Sequence, residues 1–216
     1  MENGFDRYNT NESSYFNSIN YRKGTLCVYC GKSHKGKCGN GNEFKPAKFI
    51  SLTGDLDYID RNKVINLIND IENKDGSVIK IVLGSEITSQ SIDLKRIREI
   101  HIITFQNNIP SMNQIIGRGI RHCSHFGLDK KNRNVEVYRY CSMLPHNKPS
   151  KETEKYLSAE QKNFVIKKIE RQIKINSFDC YLNKIYNMID KKYNNTEQCD
   201  YTNCHYHCSY EPKKNM

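Results

Sequence analysis

Apolar positions in this chain fall into a few short runs separated by long polar stretches. Phe49-Ile50-Ser51-Leu52 reads as a strand that ends in a turn at Thr53-Gly54. Val64, Leu67, Ile68 and Ile71 then recur at helical spacing, with Asp60 placed to cap that helix. An Asp75-Gly76 turn leads into Val78-Ile79-Lys80-Ile81-Val82-Leu83-Gly84, a mostly apolar run suited to a buried parallel strand. Further strands are predicted over 97–104 and 135–140, with a helix between them from Met112 to about Cys123. Strand, helix, strand, strand, helix, strand, with apolar runs as strands, predicts an α/β domain: a parallel sheet flanked by helices, wound on both faces. Past Pro149, residues 151–192 are helical by pattern, with Phe164, Val165, Ile169 and Ile173, then Phe178, Leu182, Ile185 and Ile189 at three-to-four spacing. That stripe is expected to pack on the α/β core. The chain thus divides into a polar segment 1–24, a Cys/Gly/Lys insertion 25–43, the α/β domain 44–149, a helical extension 150–192 and a Cys/His-rich tail 193–216.

Composition adjusts this picture in two ways. A length of 216 residues allows one core and a smaller appendage, although only 37% of residues are hydrophobic. The net charge of +10 favours a polyanionic partner, most simply DNA or RNA. No apolar run reaches membrane-spanning length, and the N-terminus carries no basic-then-apolar signal pattern. The chain is therefore expected not to be secreted, and its nine cysteines to be reduced.

Several of those cysteines stand at metal-ligand spacing. Cys27-x2-Cys30-x3-His34-x3-Cys38 supplies a complete tetrahedral set for zinc, with Gly31, Gly36 and Gly39 to allow tight turns. It is similar to a zinc knuckle, one residue short in each of the two later gaps, and Lys23, Lys32, Lys35 and Lys37 around it suit a phosphate backbone. Cys199-x4-Cys204-x3-Cys208 offers a second, weaker set, its fourth ligand being His205 or His207, with Cys180 as a substitute. Cys123 and Cys141 read as buried thiols.

The densest chemistry lies in Gln114-Ile115-Ile116-Gly117-Arg118-Gly119-Ile120-Arg121. Two arginines three apart, expected on the opening turn of a helix, project from one face and form a fork for phosphate oxygens, beside a Gln and a Gly117 that permits close approach. This Q-x-x-G-R-x-x-R pattern resembles motif VI of the superfamily 2 helicases. Lys80 to Glu86, followed by Ser91-Ile92-Asp93-Leu94 and Arg98 to Ile102, is similar to motif V and its next strand. With Cys123-Ser124-His125, the whole resembles the poxvirus-type ATPases of large cytoplasmic DNA viruses, a family that includes the early transcription factor small subunit and nucleoside triphosphatase I.

The resemblance implies a second RecA-like domain, whose cleft with a first domain holds ATP and Mg2+. Arg121 would be the principal arginine finger and Arg118 would share the phosphate. Gln114 would sense nucleotide, and Asp93 would couple it to nucleic acid. Gly84, Ser85 and Ser89 would touch the DNA or RNA backbone. Ser91 departs from the family, which has glycine there. Implied partners are nucleic acid, a chain carrying the first domain and a viral RNA polymerase; the implied location is the virion or host cytoplasm, otherwise cytoplasm or nucleus. Gly31-Lys32-Ser33 lacks the earlier glycine and the preceding strand of a P-loop, and no D-E-x-x box occurs, so the chain alone is expected not to hydrolyse ATP. The alternative is a non-enzymatic, zinc-stabilised nucleic-acid-binding or assembly protein.

Overall fold

A computed structural model describes residues 3–38, 41–53, 58–85 and 92–210. They form two compact units, one built from 1–102 with 113–138 and the other from 103–112 with 139–216.

In the first unit, β1 (Asp6–Arg7), α1 (Ser14–Ile19), β2 (Lys48–Leu52), α2 (Tyr58–Ile68) and β3 (Ile81–Gly84) follow one another along the chain. The three strands make a parallel sheet in the order β1-β2-β3, with Asp6 opposite Lys48 and Phe49 opposite Ile81. Alternate residues of β2 point inward, so Ile50 and Leu52 join Tyr8, Val64, Ile68, Ile79 and Ile92 in a buried cluster. The apolar stripe of α2 is its core face, as the spacing requires, but Ile71 stays half-exposed beyond the helix end. Asp60 does not cap α2; it lies within the first turn, paired with Lys63 at 3.2 Å, because the helix begins two residues earlier at Tyr58. Asn73 fixes the return to β3: its carboxamide oxygen accepts from Val78 and Ile79 N–H, each at 2.9 Å.

The polar N-terminal segment is not an appendage. Asp6 is buried between Lys48 Nζ at 3.4 Å and the backbone N–H of Arg22 at 2.9 Å. Burial works against its charge, yet these N–H groups and Lys48 together hold its carboxyl below the usual aspartate range. Asn17 is buried too, its amide donating to the carbonyls of Asn9 and Ser13 while its oxygen accepts from Asn9 N–H.

Two further strands, β4 (Glu99–Ile102) and β5 (Glu136–Arg139), pair with each other as a separate two-stranded sheet. The expected parallel sheet flanked by helices is present in β1-β2-β3, and among the described residues β4 and β5 are not joined to it. β4 alternates exposed and half-buried or buried positions, as a strand with one wet face does, rather than presenting an apolar run. Between them runs α3 (Ile109–Gly119), whose start is capped by Asn108, its carboxamide oxygen accepting from Ser111 N–H at 2.8 Å.

The second unit contains β6 (Met143–Leu144) and β7 (Lys148–Pro149), an antiparallel pair, then α4 (Lys151–Asn176) and α5 (Cys180–Asn187). Ser150 caps α4, accepting from Thr153 N–H. The inward face of α4 carries Ala159, Asn163 and Arg171, whereas Ile169, Ile173, Phe178, Leu182 and Ile185 are exposed. Within this unit, that apolar stripe is thus an outer face of the helices. Arg171 instead draws the tail onto the helix, donating to His205 O at 2.9 Å and stacking 4.6 Å from the ring centroid of Tyr206. Disulfides Cys180–Cys208 and Cys199–Cys204 complete this unit. These bonds correct both the reduced state expected of the tail and its second metal site, since Cys199, Cys204 and Cys208 no longer offer thiolates.

Candidate nucleotide and nucleic-acid site

Gln114, Gly117 and Arg118 lie on the later turns of α3, and Arg121 lies just past its end. The motif therefore closes a helix instead of opening one, because Asn108-Ile109-Pro110 starts the helix well before Met112. Gly119 is buried against β4: a Cβ there would stand 2.8 Å from Ile100 Cδ1. A Cβ on Gly117 would meet no neighbour within 4 Å, so the space beside Gly117 is open, while Gly119 is the glycine packed closely within this chain.

Asp93 and Arg121 come together across the two motifs, Oδ1 to Nη1 at 3.4 Å, with each side chain about half-exposed. Three groups surround this pairing: Asn69 and Arg96, which the sequence reading missed, and His125, which it placed just after motif VI. Asn69, at the end of α2, donates to Asp93 O and accepts from Lys95 N–H, both at 2.7 Å. Arg96, at a positive φ of 60°, donates to Asn69 O at 2.7 Å and to Phe126 O at 3.3 Å. His125 bonds Ile97 O through Nε2 at 2.8 Å and the Ser124 hydroxyl through Nδ1 at 2.9 Å. A carbonyl can only accept, so Nε2 carries a proton and His125 ties the end of motif VI to the strand after motif V. A polar residue such as Asn69 directly after an apolar helical stripe was the available signal.

Gly84 and Ser85 sit exposed at the C-terminal end of β3, the edge at which open α/β sheets bind ligands. Ser85 donates its N–H to Leu52 O at 3.3 Å. Ser89 and Ser91, expected at the same edge, fall outside the described residues. Cys123, at φ 60°, and Cys141 are exposed, not buried as expected, since both lie in connecting segments.

Residues 19–123, which hold β2, β3, β4 and both arginines, match the model of the helicase conserved C-terminal domain. The chain carries a helicase C-terminal domain. Its relatives are similarly placed: it is 32% identical over 230 aligned residues to an inferred ATP-dependent RNA helicase of Acanthamoeba polyphaga mimivirus, covering 98% of this chain and 20% of that protein. It is 36% identical over 152 residues to an inferred helicase of Invertebrate iridescent virus 3, covering 68% of this chain and 16% of the relative. An early transcription factor large subunit homolog of African swine fever virus is 26% identical over 167 residues, 77% of this chain and 15% of the relative. The chain spans about a fifth or less of the length of these curated relatives. The helicase domain thus belongs with superfamily 2 proteins of large DNA viruses.

A second constellation lies in the same unit. The donor atoms of Cys27, Cys30, His34 and Cys38 all fall within 4.8 Å of one another. Burial pushes the Cys27 thiol up, but backbone N–H groups of Lys45, Tyr29 and Cys30 and the Cys38 thiol outweigh it and bring Cys27 down to about 6. Cys38 moves the other way, to about 12, through burial and then its hydrogen bonds to, and the charges of, Cys27 and Cys30. The thiols stand close enough that charge on one disfavours charge on the next.

Proposed function

We propose that this chain provides the second-domain face of a nucleic-acid-dependent ATPase of the kind that serves viral early transcription or RNA or DNA unwinding. ATP with Mg2+ would lie against a first RecA-like domain outside these residues. On closure Arg121 would reach the γ-phosphate, Arg118 would share it, and Gln114 would contact the nucleotide. The observation that carries this reading is the Arg121–Asp93 pair at 3.4 Å. A half-exposed ion pair contributes no more than about 1 kcal/mol, so a phosphate can take the guanidinium from the carboxylate at little cost. Asp93 would then be released at the moment of closure, and its main-chain link to Asn69 would pass that change to the motif V edge, where Gly84, Ser85 and Ser89 would grip the strand. The net charge of +10 suits that polyanion. An RNA helicase among the relatives favours RNA as the polymer, and an early transcription factor homolog favours work beside the transcription machinery, for which a viral RNA polymerase is our proposed further partner.

Nucleic-acid-stimulated ATP hydrolysis, measured with the chain joined to a first RecA-like domain, tests the reading. Arg121→Ala is expected to lower kcat about a thousandfold or more. Unchanged turnover would remove Arg121 from the phosphate, and a joined protein with no stimulated turnover at all would leave a nucleic-acid-binding role without motor chemistry.

A further inference from the structure

The Cys/His loop between α1 and β2 lies outside the motif V and VI edge, and its geometry specifies a ligand. Cys27 Sγ and Cys38 Sγ stand 3.4 Å apart, Cys30 Sγ lies 3.2 Å from His34 Nε2, and Cys38 Sγ lies 3.4 Å from the same nitrogen. A tetrahedral zinc ion with bonds of about 2.3 Å to sulfur and about 2.0 Å to nitrogen has donor-to-donor edges of about 3.5–3.8 Å. The cluster is thus within a few tenths of an ångström of the cage on three of its edges, and too wide between sulfurs for a disulfide. Cys27, Cys30 and Cys38 are indeed free thiols, while Cys180 and three cysteines of the tail are paired.

The surroundings are built to the same end. Gly31 at φ +68° and Gly36 at φ +85° make the turns that bring the ligands back onto one point. Cys27 O accepts from Gly31 N–H at 2.9 Å, closing the first Cys-x2-Cys turn. Phe44 stands edge-on to the His34 ring, with centroids 5.3 Å apart, and covers one side. Among the described residues, this is the one group of His, Cys, Asp and Glu whose donors converge as a metal requires.

We propose that Cys27, Cys30, His34 and Cys38 hold one Zn2+ in a closed, structural site that fastens the α1–β2 connection to the β1 edge of the helicase domain. Three sulfurs and one imidazole select zinc over harder cations, and four protein ligands leave no open position for catalysis. The fastening follows from the backbone around the ligands. Leu26 N–H donates to Gly4 O at 2.7 Å, Ala47 N–H to Leu26 O at 2.8 Å, and Asp6 N–H to Ala47 O at 3.0 Å, so the residue beside the first ligand bonds both flanks of the sheet edge. Binding would displace the remaining thiol protons and add its free energy to that of the fold.

The full chain is loaded with Zn2+, gel-filtered, analysed for metal and alkylated before and after chelation, with modified cysteines located by mass spectrometry. One zinc per chain is expected. Cys123 and Cys141 should react at once, and Cys27, Cys30 and Cys38 only after chelation. Cobalt substitution should give the absorption bands of a tetrahedral thiolate site, lost in a Cys27→Ser, Cys38→Ser double variant. Absence of zinc after loading, equal alkylation before and after chelation, or a recovered Cys27–Cys38 disulfide would overturn the site. So would zinc retained by the double variant. If that variant fails to fold, the alkylation pattern of the unmutated chain decides alone.

Discussion

A methyl group added at Gly119 would press on Ile100 Cδ1 at 2.8 Å, and one added at Gly117 would meet nothing within 4 Å. The two positions, on one helix, should therefore respond in opposite directions. Gly119→Ala is expected to lower stability by about 1–2 kcal/mol through overpacking against β4. Gly117→Ala is expected to raise it by about 0.5 kcal/mol, since alanine loses less backbone entropy in a helix. Urea unfolding of both variants checks this. If Gly117 is kept bare for a nucleotide or a first domain, Gly117→Ala should still depress ATP turnover in the joined protein while it stabilises the chain. A substitution that is neutral in both assays would remove Gly117 from the site. The role proposed for the two arginines comes from the resemblance to motif VI, while their nearness was legible from their spacing. Their position at the end of α3 was not, because the Asn108-Ile109-Pro110 start was passed over in favour of the apolar residues after it.

Strands and helices divide by how much apolar surface each one needs. β2 and β3 were readable because Ile50, Leu52, Ile79 and Val82 must be covered by something, and α2 supplies the cover. β1 and α1 left no such trace, because two of the side chains they bury, Asp6 and Asn17, are polar and are satisfied by specific partners. Periodicity reports burial of carbon; a hydrogen-bonded amide or a paired carboxylate is invisible to it. The Asp6–Lys48 pair gives this element a pH signature. Its carboxyl titrates below the ordinary aspartate value of 3.8, so its contribution is fully present above that value and fades as pH falls toward the lower folded one. Asp6→Asn should cost about 3 kcal/mol at neutral pH by leaving the buried Lys48 ammonium without its counter-charge, and should flatten the acid limb of the stability curve below pH 3.8. Thermal unfolding at several pH values reads both effects; an unchanged acid limb would show that other carboxylates govern it.

At the scale of the molecule, the chain joins two units stabilised by different chemistry. No described helix is long and apolar enough to cross a membrane. The second unit leaves Phe178 at 98% and Ile185 at 81% exposure and is closed mainly by its tail, through Arg171, Tyr206 and the disulfides. The Cys180–Cys208 bond spans a sequence separation of 28, for which chain entropy gives a stabilisation of about 3.5 kcal/mol. Cys180→Ser with Cys208→Ser should therefore lower the unfolding free energy of this unit by about that amount, and a reducing agent, which also opens Cys199–Cys204, should lower that of the unmutated chain further. Denaturant melts followed at tail tyrosines would show it. Composition and spacing announced the cysteines as a group but not their division, which depends on which of them the folded backbone places side by side.

That division means that no one solvent treats both sets of sulfur kindly. A thiolate released from Cys27, Cys30 or Cys38 is the reagent that opens a disulfide, and the tail of any neighbouring molecule carries two. With metal in place the thiolates are occupied and the two populations coexist. Stripped by a chelator in the absence of added thiol, the chain should scramble into mixed-disulfide ladders on a non-reducing gel, and an alkylating agent present while the chelator acts should prevent it. Handling of this protein thus becomes a matter of timing: whatever blocks the thiolates must already be in solution when the ion leaves.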